Sequence, residues 1–150
     1  MAVKEESSAF CALKYVVYLY MYATVFNYPW ELAQGPLFVG MDNIKFAWVH
    51  CFGSALGDGV VTLIIYLFGC ALHRSWDWSF QMTVRKYTEV ATIGLAVGTV
   101  IEWVALNVLH RWRYAPEMPT VPFLDLGILP LLQMVFLLPI TFFFASKYRI

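Results

Sequence analysis

The chain has 150 residues, enough for one domain. Residues of the hydrophobic set make up 61% of it and charged residues 13%, against roughly 45–50% and about 25% in soluble domains. This composition excludes an ordinary soluble domain and favours an integral membrane protein. Ten basic and ten acidic residues give a formal net charge of zero, and the basic residues form no stripe, so we expect no nucleic-acid partner.

Four apolar stretches are long enough to cross a hydrocarbon core of about 30 Å as helices that rise about 1.5 Å per residue. They predict an all-α, polytopic membrane protein, built as a bundle of four transmembrane helices in a single domain over residues 1–150. We expect the spans at about residues 10–31, 49–72, 88–108 and 123–145.

The distribution of basic residues predicts the orientation of these spans. Seven lysine and arginine residues fall on the side of both termini, and three fall on the other side. Such residues are retained preferentially on the cytoplasmic side of a membrane. We therefore expect both termini in the cytoplasm, and a plasma or inner membrane rather than an organellar one.

The segment NYPWELAQGPLF, residues 27–38, ends the first span. It places an acid, Glu31, and an amide, Gln34, in apolar surroundings between Pro29 and Pro36. Because proline removes a backbone donor and crowds the preceding turn, we expect the helix to kink or stop here. A lipid-facing surface gains nothing from a carboxylate, so the segment predicts a polar site inside a membrane protein.

Polar residues of the other spans fall at a similar depth. With both termini inside, Glu31, Asp58 and Glu102 lie in the outer half of the membrane, as do Asp125 and Gln133 of the fourth span. A carboxylate in the bilayer costs about 2.5–3.5 kcal/mol on insertion scales, so such groups face the bundle interior or a wet cavity. Burial and mutual repulsion favour the protonated form of at least one acid, which is then a good proton donor.

This convergence predicts a shared site, with Glu31, Asp58 and Glu102 as candidate catalytic residues. The candidate substrate-binding or orienting residues are Asn27, Trp30, Gln34, His50, Asn107, Tyr114 and Gln133. A metal held by His50, Asp58 and Glu102 is a weaker alternative, because no HxxxH or ExxH pair is present. No phosphate-binding glycine loop, flavin motif or nucleophile elbow occurs, so we expect no cofactor.

A structural explanation stays open for each acid. Glu31 could pair with Arg111 or Arg113 across the membrane interface. Asp58, between two glycines, could accept hydrogen bonds from backbone amides. Glu102 could form a structural hydrogen bond with a polar neighbour, namely Gln133, Asn107 or Trp30.

Other residues predict packing rather than chemistry. Gly53 and Gly57 have the small-xxx-small spacing that lets helices approach closely. Trp76 and Trp78 are typical of interface anchors. The three cysteines contain no CxxC motif, and we expect them to be buried and unpaired.

The sequence NYPWE, residues 27–31, has the form Asn-x-x-Trp-Glu at the end of a membrane span. It resembles the acidic motif of the fungal membrane-bound terpenoid cyclases. The resemblance implies that Glu31 is a proton donor to an epoxide or alkene. It covers five residues, and those enzymes have more spans than this chain can form. The longer pattern Asn-x-x-Trp-Glu-x-x-Gln-x-Pro-Leu-Phe is similar to small uncharacterised bacterial membrane proteins, which implies no function.

The leading hypothesis is a site for a small lipidic or isoprenoid ligand, with the acid/base chemistry of an isomerase or cyclase. Glu31 or Glu102 would donate the proton, and Asp58 would balance the charge. Two rivals stay open, a non-catalytic accessory or assembly subunit of a membrane complex and an oligomeric transporter or ion-coupling protein. We expect membrane lipids and a small apolar ligand as partners, and leave open a homo-oligomer or a membrane-complex partner.

Overall fold

The chain forms four long α-helices, which confirms the all-α prediction. The structure, a computed structural model, describes the backbone of residues 2–41 and 43–148, and the side chains from residue 12 onward apart from residues 42, 44, 149 and 150. The helices are α1 (Ala2–Gln34), α2 (Ile44–His73), α3 (Val84–Asn107) and α4 (Ile128–Ser146). A 3-10 turn, Gly35–Leu37, follows α1, and the antiparallel strands β1 (Thr120–Val121) and β2 (Leu126–Gly127) precede α4.

Three helices are long and apolar enough to cross a membrane, counted over the described residues: Lys45–His73, Val84–Asn107 and Ile128–Ser146. Large apolar side chains are exposed along all four helices. On α1 they recur at four-residue spacing, at Leu13, Val17, Met21 and Val25. Soluble proteins rarely expose apolar surface of this extent, so the exterior suits contact with lipid.

The four helices form an open arc with α1 and α4 at its centre. α1 packs against both α2 and α4, and α3 packs against α4, whereas α2 and α3 scarcely touch. The buried face of α1 also recurs every fourth residue, at Tyr15, Leu19, Ala23 and Asn27, as expected for one face of a helix. A seam therefore runs between α2 and α3, and we call it the α2–α3 seam.

The half of the bundle nearest the termini has a packed apolar core. The loop after α2 folds Trp78 into this core, where its ring stacks on His73 and packs against Phe142. The Trp78 indole N–H donates to the carbonyl of Tyr66 at 3.2 Å. Trp78 is only 4% exposed, so its prediction as an interface anchor is wrong, whereas Trp76 is 65% exposed. The core also includes Tyr15, Leu19, Ile65, Val90, Leu138 and Ala145.

Several helix boundaries depart from the predicted spans. α1 begins at Ala2 rather than near residue 10, α2 at Ile44 rather than near residue 49, and α3 at Val84 rather than near residue 88. α1 runs through Pro29 and ends at Gln34, so the helix stops at the second proline of the segment rather than the first. α4 begins at Ile128 and not near residue 123, because β1 and β2 form a hairpin before it. Asp125 lies exposed in the hairpin turn with a φ of 53°, so its prediction as a residue of the fourth span is wrong.

Glycines mediate close helix contacts, but not at the predicted pair. A Cβ atom at Gly94 of α3 would lie 2.9 Å from the carbonyl oxygen of Met134, and one at Gly98 would lie 2.9 Å from the Cγ of Met134. Gly94 and Gly98 therefore let α3 approach α4. Cβ atoms at Gly53 and Gly57 would meet nothing within 4 Å among the described residues, so the close packing predicted for these two glycines is wrong.

We expect Gly94→Ala to lower the free energy of unfolding by about 1–3 kcal/mol, because the backbone of Met134 cannot yield without moving α4. Gly53→Ala and Gly57→Ala should not lower it, since alanine is favoured over glycine in a helix by about 1 kcal/mol. Thermal unfolding of the purified protein in detergent measures the difference. Equal destabilisation by all three substitutions would contradict this packing.

Candidate functional site

A cavity of about 270 Å³ lies in the α2–α3 seam, at the end of the bundle away from the termini. All four helices contribute to its wall: α1 provides Glu31 and Gln34, α2 provides Asp58, α3 provides Glu102 and α4 provides Gln133. The structure therefore brings together the three acids that the sequence singled out, although their catalytic role stays a prediction.

Gln133 connects three helices through its carboxamide. Its Nε2 lies 2.8 Å from Oδ1 of Asn27, 2.9 Å from Oε1 of Glu31 and 2.9 Å from Oδ2 of Asp58. Gln34 Nε2 donates to Oε1 of Gln133 and to Oε1 of Glu31, both at 2.9 Å. Oε1 of Glu31 and Oδ2 of Asp58 each lie 2.9 Å from Gln133 Nε2. These two oxygens are therefore separated by no more than twice that distance.

This cluster contains more hydrogen-bond acceptors than donors. A carboxamide nitrogen carries two hydrogens, yet Gln133 Nε2 faces three acceptor oxygens. Gln34 lines the cavity and is only 4% exposed, and its Oε1 has no hydrogen-bond partner among the described residues. An ionised carboxylate only accepts, whereas a protonated one adds a donor. A proton on one acid, or a donor brought by a ligand, would complete the network.

Glu102 is held apart from this network by the loop after α3. It is 8% exposed and accepts a hydrogen bond from the hydroxyl of Tyr114, which in turn accepts from the N–H of Gly127 at 2.9 Å. Burial and the bond to Glu102 raise the pKa of the Tyr114 hydroxyl, so it remains a donor at neutral pH. The partners predicted for Glu102, namely Gln133, Asn107 and Trp30, were therefore wrong.

The same loop closes the cavity at its end away from the termini. Residues 37–39 and 113–115 are joined by two backbone hydrogen bonds of 2.9 Å, and the ring of Phe38 packs edge-on against Tyr114. Beneath this cap, the indole N–H of Trp112 lies near the Glu102 carboxylate without hydrogen-bond geometry. A ligand is therefore not expected to reach the acids through the cap.

The three acids have no basic partner in the part of the chain that the structure describes. The ion pair found there joins His73 to Glu89 at 2.8 Å, near the opposite end of the seam. The interpretation of Glu31 as the partner of an arginine is therefore wrong. The three carboxyl groups instead interact with one another, and in surroundings of low polarity such repulsion is strong.

The remaining candidates divide between the cavity and other surfaces. His50 lines the cavity rim, is exposed and stacks on Phe46. Asn107 is exposed and donates to the carbonyl of Trp103 in its own helix, and Trp30 is not among the residues that line the cavity, so the structure does not bring these two to the acids. Within the described residues, no three His, Cys, Asp or Glu side chains are grouped to hold a metal ion, which leaves the weaker metal alternative unsupported.

Sequence reasoning missed several residues of the cavity wall. Trp112 lines it because its loop folds back over the helix ends, and Arg111, named from the sequence only as an ion-pair partner of Glu31, lines it as well. Cys51 also lines it and donates its S–H to the carbonyl of Glu31 at 3.4 Å. Cys51 and Cys70 are buried and unpaired, as expected, while the side chain of Cys11 lies outside the described residues. No sequence signal identified the loop residues, since their position depends on how the loop folds.

Comparison with known proteins does not assign this site. No protein-family model, no curated protein and no solved structure matches the chain. The function must therefore be argued from the residues of the cavity.

We expect Gln133→Leu to lower the free energy of unfolding by about 1–3 kcal/mol, because it leaves buried acceptors of α1 and α2 without their donor. Leu132→Met is the matched control, since the neighbouring residue is 37% exposed and outside the network. Thermal unfolding in one detergent compares the two variants. A Gln133→Leu protein as stable as the control would show that the network contributes nothing to the fold.

Proposed function

We propose that this protein is a four-span integral membrane protein, with both termini in the cytoplasm, whose cavity binds a small lipidic ligand and performs acid/base chemistry on it. The observation that carries the proposal is the meeting of three acids from three helices in one cavity, without a basic partner among the described residues. Such groups are costly in a bilayer and mark functional sites there.

The proposed topology has two supports. α1 would be the fourth span, since it carries an exposed apolar stripe on one face and a buried one on the other. The excess of lysine and arginine on the side of the termini favours a cytoplasmic location for that side, in a plasma or inner membrane. The acids then lie in the outer half of the membrane.

The cavity wall suits an amphiphile. It combines the three acids and the two carboxamides with apolar side chains and glycines, among them Val61, Gly98, Ile101 and Met134. Its volume is just below the range of about 300–1,000 Å³ typical of small-molecule pockets. It therefore suits the polar end of a lipid or isoprenoid better than a whole long-chain molecule.

The acids suit complementary roles in an isomerase or cyclase. Glu31 accepts hydrogen bonds from two carboxamides, and such bonds stabilise a carboxylate, which suits a proton acceptor or a charge-balancing group. Asp58 shares the same donor. Glu102 is separate, oriented by Tyr114 and present in the cavity wall, which suits a proton donor. Two carboxyl groups in different environments can thus act as acid and base in one reaction.

One observation favours the alternative of a non-catalytic assembly subunit. Gly53 and Gly57 have open space beside them, and exposed small residues let a partner helix approach closely. A partner helix bound there would cover the cavity opening and block the entry of a lipid, so the two functions exclude each other at this surface. An assembly subunit would purify with a stoichiometric protein partner and without an enriched lipid.

The test is deuterium incorporation into a bound lipid. Wild-type protein should copurify with an enriched lipid, identified by mass spectrometry, and in deuterated buffer this lipid should gain deuterium at carbon. Glu102→Gln keeps the shape and removes the acid, so incorporation should fall by at least about 100-fold while the lipid stays bound. Glu117→Gln, at an exposed loop position outside the cavity, is the control and should leave incorporation unchanged. Absence of an enriched lipid, or equal incorporation in both variants, would contradict the proposal.

A further inference from the structure

The cavity is open toward the α2–α3 seam, because α2 and α3 scarcely touch beside it. α1 and α4 form its floor, and the loops of residues 37–39 and 113–115 cover its end. At the opening, Cβ atoms added to Gly53 and Gly57 would meet nothing within 4 Å among the described residues. The opening therefore faces the same surroundings as the exposed apolar side chains Val60 and Ile64 of α2, which would be lipid.

The seam continues beyond the cavity as a second, shallower depression. This depression is lined by apolar and threonine side chains of α2 and α3, including Phe68, Leu72, Thr92 and Ile93. At its far end it is lined by Arg85 and by the His73–Glu89 ion pair. Asp58 in the cavity and Phe68 in the depression are separated by about 15 Å at helical rise. That distance is about half of a hydrocarbon core of about 30 Å, which is the depth of one lipid leaflet.

We infer that the ligand is a single-chain lipid whose head group is a hydrogen-bond donor, either a hydroxyl or a protonated amine, and whose chain lies in the α2–α3 seam. The inference rests on the proposed ligand-binding function, to which it adds the chemistry of the head group and the route of access. The lipid reaches the cavity sideways from the membrane.

The head group follows from the shortage of donors. Gln133 Nε2 has two hydrogens for three acceptors, and the buried Oε1 of Gln34 has no partner among the described residues. A hydroxyl brings one donor and a primary ammonium brings three. A carboxylate or phosphate head would bring further acceptors and negative charge to the cluster of acids around Gln133. Arg111 also lines the cavity but, within the described structure, forms no ion pair with these acids, so the donor-poor cluster disfavours anionic lipids.

The chain position follows from volume and access. A cavity of about 270 Å³ holds a head group and the first carbons of a chain, so the remaining chain must leave it. The opening between α2 and α3 leads into the apolar part of the seam, where the chain can lie. Glycine at positions 53 and 57 keeps that opening wide.

Photolabelling in lipid nanodiscs tests the inference. Four dodecyl probes, each with a diazirine at the chain end, carry a hydroxyl, a primary amine, a methyl ether or a carboxylate. The hydroxyl or the amine probe should label seam peptides of α2 and α3 at least about tenfold more than the ether and the carboxylate, and the stronger of the two identifies the head group. Equal labelling by the ether would overturn the head-group assignment. Equal labelling of the exposed apolar residues of α1 would overturn the placement of the lipid chain in the α2–α3 seam.

Gly57→Leu tests the opening directly. The leucine side chain has room, so unfolding temperature should be retained, but it fills the opening and labelling should fall about tenfold. Val60→Leu is the matched control on the same helix, at a position already 50% exposed, and should label as wild type. Unchanged labelling in Gly57→Leu would overturn lateral access. If a lipid still copurifies but labels outside the seam, only this inference fails; if no lipid binds at all, the proposed function fails with it.

Discussion

The hydrogen bonds of one carboxamide, that of Gln133, hold the acidic end of the bundle together. Water cannot replace a lost hydrogen bond inside a bilayer, so Asn27, Glu31 and Asp58 rely on the two N–H groups of Gln133, and Glu31 also accepts from Gln34. This dependence ties α1 and α2 to α4 at one level. It also leaves the cluster short of donors, which makes its protonation and its occupancy by a ligand alternative ways to satisfy the same acceptors.

The two ends of the bundle differ because the loop at each end packs differently against the helices. On the side of the termini, the loop after α2 inserts Trp78 and completes an apolar core, and His73 and Glu89 connect α2 to α3. On the other side, the loop after α3 lies over the helix ends, where Tyr114 binds Glu102. α2 and α3 are therefore joined at one end and separated at the other, and the separation contains the acids.

Sequence reasoning could predict that the three acids lie at one level of the bundle, but not the faces on which the polar residues lie. Helical rise and the alternation of spans placed Glu31, Asp58 and Glu102 at one level, where the cavity is found. Asn107 is five residues from Glu102, about 140° around a helix, so equal depth did not mean a shared face. The pairs Gly53/Gly57 and Gly94/Gly98 have the same spacing, so the spacing did not tell which pair packs against another helix. The contact of Tyr114 with Glu102 depends on how the loop after α3 folds, and no sequence signal predicted that fold.

The central claim is that Gln133 and the acids of α1 and α2 form one interacting unit. A double-mutant cycle between Asp58→Ala and Gln133→Ala, measured by unfolding in detergent, tests it most directly. Hydrogen-bonded pairs in membrane proteins couple by about 0.6 kcal/mol on average, and the account predicts a coupling of at least that size. Additive effects of the two substitutions, with no coupling beyond experimental error, would contradict it.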